Sequence, residues 1–485
     1  MIDKLKKIKK RLQQLQDMRM IRKSGLFNAA VYLHSHPDVA QARIDPVKHY
    51  LQYGGFEGRD PSQNFSSQYY LDHNEDVRQS GLNPLVHYLK YGCQEGRAVL
   101  PPSQESGGDA SQTSFLQKYL YEITINAFND HKDNYDADRF GQKSKPSDGF
   151  KAASIVQRLL RRKNFIHLGS FSKKLMHALS MVEPFLPLFE NVYRHLADEA
   201  SRQWLVKLQA YRALGYRRVK LPTNTPDYWQ GIAAQEKHAH RSDVITFPFG
   251  DLQFSLPLFD LRYMGVPLSL YIMPSTVHRQ FNMGQYRLEV ADNVIDVEQG
   301  DIVIDAGACW GETSLRFANQ AGPSGCVYSF EFVDRNLEIF EKNMNLNPDL
   351  NESVKLIRRA LWNKSDQSLT FSDHGPGTTI HADQLSPYSV NSITIDDFVK
   401  QRKLPHVDFI KMDIEGSELQ ALQGALETLK AHRPKLAISI YHLPPMDYVD
   451  IPEFLLSLDL GYRLYVRHYT IHAEETVLYA KVGNT

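Results

Sequence analysis

The sequence has 485 residues, of which 42% are hydrophobic and 23% are charged. These fractions are typical of globular proteins and exclude wholesale disorder, and the length suggests about three domains. The 56 basic and 56 acidic side chains balance, so the composition gives nucleic-acid binding no support.

Cysteine content and hydropathy bear on the location of the protein. Cys93, Cys309 and Cys326 are too few and too irregularly spaced for a disulfide scaffold or a zinc site. The sequence contains neither a signal-peptide pattern nor an apolar run of about 18–20 residues that would span a bilayer. We therefore expect a cytoplasmic protein, either free or peripheral to the inner face of the membrane.

A basic helix is predicted over residues 1–24. Four apolar residues have the spacing of a heptad seam: Leu5, Ile8, Leu12 and Leu15. Arg19 occupies the next seam position, so the seam is short. Three roles remain open for this helix: an oligomerisation contact, a solvated basic surface, or binding to an anionic membrane surface.

Residues 25–100 contain an internal repeat with a period of 38 residues, because Phe27 aligns with Phe65 without a gap. Shared positions include Tyr32/Tyr70, His49/His87, Gly54/Gly92 and Arg59/Arg97. Such self-similarity predicts a repeated supersecondary unit, here of two short helices. Pro46 and Pro84 suit a first helical turn, and the repeated glycines suit a C-terminal cap. The repeated tyrosine, histidine and arginine either form a binding surface or, as we favour, hold the helices together.

Two segments connect the repeats to the C-terminal part of the chain. Residues 101–112 are rich in Pro, Gly and Ser and are predicted to be a linker. Residues 113–290 are predicted to be a mainly helical and mixed region, with one helix ending at Gly215 and short strands between loops over 220–290. We recognise no catalytic pattern in this region.

Residues 291–485 alternate strands with helices, which predicts a parallel-sheet α/β domain. The predicted strands cover 301–304, 326–331, 354–357, 406–412 and 436–441, followed by a terminal hairpin of 462–466 and 476–479. Helices are predicted to begin near Glu312, to cover 335–345, and to follow an N-cap at Ser417.

Ligands of open α/β sheets bind beyond the carboxyl ends of the strands. The polar residues predicted at such ends are Asp305, Glu331, Asp413 and His442. Gly307 and Gly311 lie in the first loop, where a missing side chain lets the backbone approach a ligand. Glu331 is placed to accept both hydrogen bonds of a ribose diol.

The first loop also indicates which ligand binds. Its pattern from Asp305 to Gly311, Asp-x-Gly-x-x-x-Gly, lacks the spacing of the pyrophosphate fingerprint. Carboxylates suit a ligand that has cationic groups and no phosphate, and S-adenosylmethionine offers a sulfonium, an ammonium and a ribose diol. The terminal hairpin favours a class I methyltransferase sheet over a dehydrogenase.

Residues 301–480 resemble the FkbM-type family of S-adenosylmethionine-dependent methyltransferases. The matching pieces are VIDAGACWGETSL, YSFEFVDRNLEIFEKN, ITIDDFV, VDFIKMDIEGSELQALQGA and LAISIYH, in that order. Cys309 replaces the asparagine that is usual in the family's first loop. The resemblance implies a Rossmann-like, seven-stranded sheet with a terminal antiparallel hairpin. We expect cofactor binding by Asp305, Gly307, Ala308, Gly311, Glu331, Phe332, Ala360 and Asp413.

Family members are mostly O-methyltransferases, so the implied reaction is attack of a hydroxyl oxygen on the sulfonium methyl group. We expect His442 to take the hydroxyl proton. Asp413 could hold the cofactor's ammonium, orient His442 or act as the base itself. Lys411 could pair with Asp413 or Glu415, or donate to the acceptor oxygen. A divalent cation on Asp413, Glu415 and His442 is an alternative that we do not favour.

The repeats resemble those found beside glycosyltransferase and methyltransferase domains of bacterial surface-polysaccharide enzymes. This resemblance implies that the acceptor is a sugar hydroxyl of a surface glycan or its precursor. It also suggests that residues 1–100 associate with a glycosyltransferase or a membrane surface, and the first helix leaves a homo-oligomer open. The alternatives are a lipid, peptide or polyketide acceptor, or a non-catalytic scaffold that recruits partners through the repeats.

Overall fold

The computed structural model describes residues 44–62, 65–92, 114–127, 177–249, 252–290, 293–381 and 386–483 continuously, with isolated residues elsewhere between 14 and 134. The chain forms two compact units, Met1–Gln112 and Thr113–Thr485. The predicted seam residues Leu5, Ile8, Leu12 and Leu15 and the predicted linker over 101–112 lie outside the described residues.

The first unit contains short helices. They are α1 (Pro46–His49), α2 (Ser67–Asp72), α3 (Glu75–Ser80) and α4 (Pro84–His87), and α1 and α4 continue as the π-helices Tyr50–Gly54 and Tyr88–Gly92. Pro46 and Pro84 begin their helices, as predicted, and the side chains of Asp45 and Asn83 accept hydrogen bonds from the first turns. The second repeat therefore contains three α-helices, one more than predicted.

The repeated polar residues make the same contacts in both copies. In each copy a tyrosine hydroxyl lies 3.0–3.1 Å from a histidine Nδ1, and an arginine lies 2.7 Å from an aspartate. These pairs are Tyr32–His49, Tyr70–His87, Arg59–Asp38 and Arg97–Asp76. A Cβ on Gly54 or Gly92 would lie 1.9 Å from the tyrosine hydroxyl. The glycines thus make room for the tyrosines. Each is the last residue of its π-helix, and neither has the positive φ of a left-handed cap.

The second unit opens with helices and a small sheet. The helices are α5 (Phe115–Asn126), α6 (Leu186–His195), α7 (Glu199–Leu214) and α8 (Pro226–Glu236). Strands β1 (His240–Phe249), β2 (Leu252–Asp260) and β3 (Ser269–Tyr271) form an antiparallel sheet in that order. The helix α9 (Pro274–Val277) and the hairpin of β4 (Leu288–Val290) and β5 (Asn293–Ile295) follow. The C-cap of α7 is Gly215, as predicted, whereas β1 and β2 are longer than the predicted short strands.

The remaining strands are β6 (Ile302–Ala306), β7 (Cys326–Phe330), β8 (Val354–Ile357), β9 (Ala360–Leu361), β10 (Ser368–Ser372), β11 (Thr379–His381), β12 (Tyr388–Ile393), β13 (Phe409–Met412), β14 (Lys435–Ser439), β15 (Tyr462–His468) and β16 (Thr476–Val482). The helices among them are α10 (Glu312–Ala321), α11 (Asp334–Leu346), α12 (Ile395–Arg402), α13 (Glu418–Gln423), α14 (Leu426–His432) and α15 (Asp447–Ser457). Short 3₁₀-helices cover Glu183–Phe185, Leu261–Met264, Pro348–Leu350 and Gly375–Gly377, and a π-helix covers His278–Asn282.

Seven of these strands form the main sheet, in the order β15-β16-β14-β13-β6-β7-β8. Strand β16 is antiparallel to both of its neighbours, and the pairs from β14 to β8 are parallel. This is the predicted seven-stranded sheet with a terminal antiparallel hairpin. Its parallel strands end together on one edge, where the connecting loops bring polar residues side by side.

The region before residue 291 packs onto the sheet. The backbone N–H of Val466 in β15 donates to Ser201 Oγ, and Arg467 lies 2.6 Å from Asp198 beside α7. Strands β4 and β5 pair across the boundary that we predicted between residues 290 and 291. Residues 113–290 are therefore part of the same compact unit as the α/β sheet. None of the helices in the described part of the chain has the length and hydropathy of a membrane span.

Candidate active site at the carboxyl edge of the sheet

A buried ion pair lies behind the first loop. Asp305 at the end of β6 is fully buried and accepts hydrogen bonds from Thr313 Oγ1 at 2.7 Å and Ser314 Oγ at 2.6 Å. Its other oxygen lies 3.1 Å from Nζ of Lys411, which also donates to the carbonyls of Ala306 and Gly307. Lys411 is 2% exposed, so it holds β6 to β13. It pairs with Asp305, and not with Asp413 or Glu415, the two partners that the sequence analysis considered.

A side chain at either glycine of the first loop would clash, but with a different neighbour in each case. Gly307 has a φ of 77°, and a Cβ there would lie 1.9 Å from the carbonyl oxygen of Asp413. Gly311 has a φ of 84°, and its Cβ would lie 2.8 Å from the ring of Phe340. Gly307 therefore lets the first loop contact the loop that carries Asp413, beside the cleft. Gly311 makes room for Phe340 of α11, and so it does not serve the approach of a ligand as we predicted.

The backbone of the first loop is not arranged to bind a phosphate. The N–H groups of Gly307 and Ala308 both donate to the carbonyl of Phe330, at 3.1 and 3.0 Å. Phosphate-binding loops instead point successive N–H groups at the ligand. This geometry agrees with the predicted phosphate-free ligand.

Cys309 has a φ of 48°, in the left-handed region. Asparagine is several-fold enriched there among residues other than glycine, which gives a backbone reason for the asparagine usual in the family. Burial raises the pKa of the Cys309 thiol well above its ordinary value, so the thiol is held neutral. It lines the cleft as a small, weakly polar group.

A cleft that is open to solvent lies at this edge of the sheet. Three carboxylates line it, Glu331, Asp413 and Glu415, together with the apolar residues Phe332, Ala360 and Leu361. Of the predicted cofactor residues, Gly307, Glu331, Phe332, Ala360 and Asp413 line this cleft, whereas Asp305, Ala308 and Gly311 lie behind it.

Glu331 follows β7 and is 6% exposed. Its Oε1 accepts the backbone N–H groups of Phe332 and Val333 at 2.6 and 2.8 Å, and its Oε2 accepts Nδ2 of Asn336 at 3.1 Å. Burial raises the pKa of this carboxyl group, and the two N–H groups and Asn336 oppose the rise. A carboxylate can accept about four hydrogen bonds, so these three leave room for a ligand hydroxyl.

Asp413 follows β13 and is held by two tyrosines. Tyr286 donates its hydroxyl to Oδ2 at 2.8 Å, and Tyr441 donates to Oδ1 at 3.2 Å. The pKa of both phenols lies well above the ordinary value, first because of burial and then because of the Asp413 charge. Both phenols therefore remain donors. Sequence reasoning missed Tyr286, which precedes the predicted domain boundary.

His442 lies among carboxylates. Its side chain is 6% exposed, and Nε2 lies 3.4 Å from Asp413 Oδ1 and 3.6 Å from Glu415 Oε1. Strand β14 ends at Ser439, so His442 lies in the following loop and not at the strand end that we predicted. Burial lowers the pKa of the imidazole, but Glu418 and Glu415 outweigh it and hold this pKa well above the ordinary value. His442 does not itself line the cleft.

Glu418, the first residue of α13, supports this cluster from behind. It is fully buried, and its Oε1 lies 2.9 Å from Nδ1 of His442. The same carboxylate accepts the backbone N–H groups of Ile414 and Gly416 at 2.9 and 3.0 Å. Ser417 occupies the predicted N-cap position, but its side chain makes no capping hydrogen bond. Glu418 instead fixes the loop before α13, which carries Glu415.

Glu415 has a φ of 55°, an uncommon backbone conformation for a residue other than glycine. Such residues cluster at functional sites when the surrounding structure holds them. Burial raises the pKa of Glu415, and the nearby His442 lowers it. The side chain of Glu415 remains 28% exposed and lines the cleft.

Comparison with known families agrees with this architecture. Residues 296–464 match the sequence model of the methyltransferase FkbM domain. The chain contains an FkbM-type methyltransferase domain. This match confirms the predicted family and the methyltransferase class, for which S-adenosylmethionine is the cofactor. The cleft has carboxylates for the cationic groups of that cofactor, and its first loop is not arranged to bind a phosphate, which the cofactor lacks.

Several solved structures are similar to this chain. A methyltransferase FkbM from Methylobacillus flagellatus KT is 21% identical, with 63% of this chain and 61% of that chain covered and a TM-score of 0.38. A SAM-dependent O-methyltransferase from Thermotoga maritima is 16% identical, with coverages of 52% and 97% and a TM-score of 0.27. An O-methyltransferase from Bacillus cereus, in complex with SAH, is 15% identical, with coverages of 38% and 76% and a TM-score of 0.27. The chain thus spans 61% of the length of the Methylobacillus protein. Among curated proteins, none matches the sequence.

Proposed function

We propose that this protein is an O-methyltransferase that transfers the methyl group of S-adenosylmethionine to a sugar hydroxyl of a bacterial surface glycan or its precursor. One observation carries the proposal: Glu331, Asp413 and Glu415 line one cleft at the carboxyl edge of the FkbM-type domain. That cleft can hold a cofactor at one end and a proton acceptor at the other.

The cofactor, when bound, supplies an electrophilic methyl group on a sulfonium. Glu331 would accept the hydrogen bonds of the ribose hydroxyls, because it follows the second strand of the sheet and keeps acceptor capacity. Asp413 would face the cationic groups, with its orientation set by Tyr286 and Tyr441. Phe332, Ala360 and Leu361 supply the apolar surface of the same cleft.

Glu415 is the residue that we assign to take the acceptor proton. Both oxygens of Asp413 already accept tyrosine hydroxyls, and His442 lies behind the cleft. Glu415 lines the cleft, and its side chain is 28% exposed. General-base catalysis by a positioned carboxylate contributes about 10²–10⁴-fold to a rate. This assignment replaces our sequence-based expectation that His442 is the base.

His442 and Glu418 are then positioning residues. The imidazole lies among the carboxylates of Asp413, Glu415 and Glu418 and does not line the cleft. Glu418 holds the loop on both sides of Glu415, whose backbone has a positive φ. Alignment of the reacting oxygen and the methyl group accounts for much of the rate of such a displacement.

The choice of a sugar as the acceptor depends on the repeats of residues 25–100, which resemble those of bacterial surface-polysaccharide enzymes. In this proposal the first unit recruits the glycan, its precursor or a glycosyltransferase, while the second unit carries out methyl transfer. A second acceptor class, a hydroxyl on a lipid-bearing molecule, is favoured by Leu443 and Met446. These residues follow His442 and are 47% and 43% exposed.

Methyl transfer to a panel of acceptors tests the proposal. The full-length protein would be incubated with S-adenosylmethionine carrying a labelled methyl group, together with nucleotide-activated sugars, surface-type oligosaccharides and lipid-linked saccharides. We expect label on a sugar oxygen with the wild type, and a rate at least about 10²-fold lower with Glu415→Gln. Label only on a lipid or peptide hydroxyl would refute the sugar assignment. Equal rates for wild type and variant would refute the role of Glu415.

A further inference from the structure

Three ligand-type atoms converge beside the cleft. One carboxylate oxygen each of Asp413 and Glu415 and one ring nitrogen of His442 lie within 4.8 Å of one another. The imidazole nitrogen is 3.4 Å from the first oxygen and 3.6 Å from the second. These separations are long for hydrogen bonds, whose donor–acceptor distances are about 2.7–3.2 Å. In the part of the chain that the structure describes, no hydrogen bond satisfies this nitrogen, although the His442 side chain is 94% buried.

The 3.4 Å separation equals that of two ligands on one metal ion, and the 3.6 Å separation exceeds it slightly. Ligand atoms about 2.1 Å from a metal lie roughly 3.0–3.4 Å apart in octahedral or tetrahedral geometry. Small shifts of the carboxylate rotamers would bring all three atoms onto a common centre. Asp413 and Glu415 line the cleft, so an ion at that centre would retain open positions toward it.

The surroundings of His442 are also those of a metal ligand. A histidine that binds a metal through one nitrogen commonly directs its other nitrogen at a carboxylate, which fixes the ring and raises its basicity. Nδ1 of His442 lies at an ion-pair distance of 2.9 Å from Oε1 of the fully buried Glu418, although the geometry is not that of a hydrogen bond. Glu418 is in turn held by the backbone N–H groups of Ile414 and Gly416.

The negative charge of the side chains around His442 also favours a metal cation. The carboxylates of Asp413, Glu415 and Glu418 surround a single imidazole. Even with a protonated ring, this group carries a net negative charge in a largely buried place. Buried charges are stable when they are paired or coordinate a metal.

We propose that Asp413, Glu415 and His442 bind a divalent first-row transition-metal ion, with Glu418 as the positioning carboxylate behind the histidine. Carboxylates suit Mn²⁺ and imidazole suits Fe²⁺, Ni²⁺ or Zn²⁺, so a mixed set selects this class over Ca²⁺. If the protein is the proposed O-methyltransferase, the ion would hold the acceptor hydroxyl oxygen in the cleft, and this role rests on the proposed function. Oε2 of Glu415 would remain available for the hydroxyl proton.

Calorimetric titration of Mn²⁺ tests the site. The full-length protein would first be treated with chelator and dialysed, and no cofactor or acceptor would be present. We expect saturation at one Mn²⁺ per chain. His442→Ala and Glu415→Gln should each weaken binding at least about 100-fold, and Glu418→Gln by about 10–100-fold, as for other carboxylates behind a ligand.

Two control variants locate the ion. Glu427→Gln removes a carboxylate that is 81% exposed in α14, and it should leave the affinity unchanged. Asp447→Asn should also retain binding, although Asp447, Glu418 and His442 form a neighbouring cluster. Loss of binding in Asp447→Asn with retention in Glu415→Gln would overturn the assignment.

Absence of saturable Mn²⁺ binding by the wild type would likewise overturn the proposal, as would unchanged affinity in both ligand variants. Circular dichroism would check that each variant is folded. If His442→Ala does not fold, the Mn²⁺ affinity of Glu415→Gln decides the outcome. This variant should fold, because the Glu415 side chain is at the cleft surface. The titration needs no methyl donor, so failure of the methyltransferase proposal would leave its result unaffected.

Discussion

Oε1 of Glu418 lies 2.9 Å from Nδ1 of His442, and the two side chains are 0% and 6% exposed. The contact joins α13 to the loop after β14. Two backbone N–H groups of the Asp413–Gly416 loop donate to the same carboxylate, at Ile414 and Gly416. One glutamate therefore connects the loops that follow β13 and β14, and we expect it to matter for stability as well as for the site.

We predict that Glu418→Gln lowers the free energy of unfolding by about 1.5–3 kcal/mol at pH 7, because its buried carboxylate accepts two backbone N–H groups and faces the imidazole of His442. Urea unfolding followed by circular dichroism would measure the change. Glu427→Gln is the matched control, since its side chain is 81% exposed and should stay within about 0.5 kcal/mol of the wild type. A loss below about 1 kcal/mol in Glu418→Gln would show that the pair contributes little.

The sequence was sufficient to predict the strands of the main sheet and the edge at which their polar residues meet. Strand runs followed by Asp305, Glu331 and Asp413 are local signals, and the parallel arrangement brings them to one edge. Register was harder to predict. Asp305 and Lys411 are paired neighbours on β6 and β13, which explains their ion pair, but a strand run alone does not fix this pairing.

Two residues of the site could not be found from local patterns. Tyr286 is 127 positions from Asp413, and only the fold brings the two together. Glu418 lies inside the family motif, but its role depends on the turn that Glu415 makes with a positive φ. Side-chain direction around such a turn follows from tertiary packing and not from residue type.

Glu312 gives a prediction for the pH dependence of stability. This first residue of α10 is 9% exposed, and burial raises the pKa of its carboxyl group to about 7. The folded state therefore binds a proton that the unfolded state has released between roughly pH 4.5 and pH 7. Because the charged form is buried at a cost, this group makes the protein less stable as the pH rises through that window.

We predict that Glu312→Gln raises the free energy of unfolding by roughly 2 kcal/mol at pH 8 and changes it little at pH 5. Urea unfolding at both pH values would measure the difference. The control is Glu352→Gln, whose side chain is 99% exposed and should show no pH-dependent gain. Equal effects of Glu312→Gln at the two pH values would mean that its carboxyl group titrates normally.

For the cofactor, we predict that Glu331→Gln weakens binding of S-adenosylmethionine by about 10–100-fold, because hydrogen bonds to a charged acceptor contribute about 1.5–3 kcal/mol each. Calorimetric titration would measure the affinity. Glu331→Ala should have a larger effect, since it also frees the backbone N–H groups at the start of α11. Wild-type affinity in both variants would contradict the assignment of Glu331 to the ribose.

The two compact units give a prediction about truncation. A chain that begins at Ser111 should fold and bind S-adenosylmethionine with wild-type affinity, because the boundary between the two compact units lies between Gln112 and Thr113. Methyl transfer to the native acceptor should fall if the repeats recruit it. Circular dichroism and calorimetric titration would follow folding and binding. Failure of the shorter chain to bind the cofactor would show that the first unit contributes to the site.

The tyrosines on Asp413 provide a test of the catalytic geometry. Tyr286 donates at 2.8 Å and Tyr441 at 3.2 Å, so the first hydrogen bond should be the stronger. We predict that Tyr286→Phe lowers kcat by about 10–100-fold and that Tyr441→Phe lowers it by less than about tenfold. Initial rates of labelled methyl transfer would give kcat and KM for each variant. Tyr263→Phe, which removes a hydroxyl bonded to Gln235 outside the cleft, should behave as the wild type. An effect of Tyr441→Phe that exceeds that of Tyr286→Phe would mean that Oδ1 of Asp413, and not Oδ2, is the oxygen whose position governs methyl transfer.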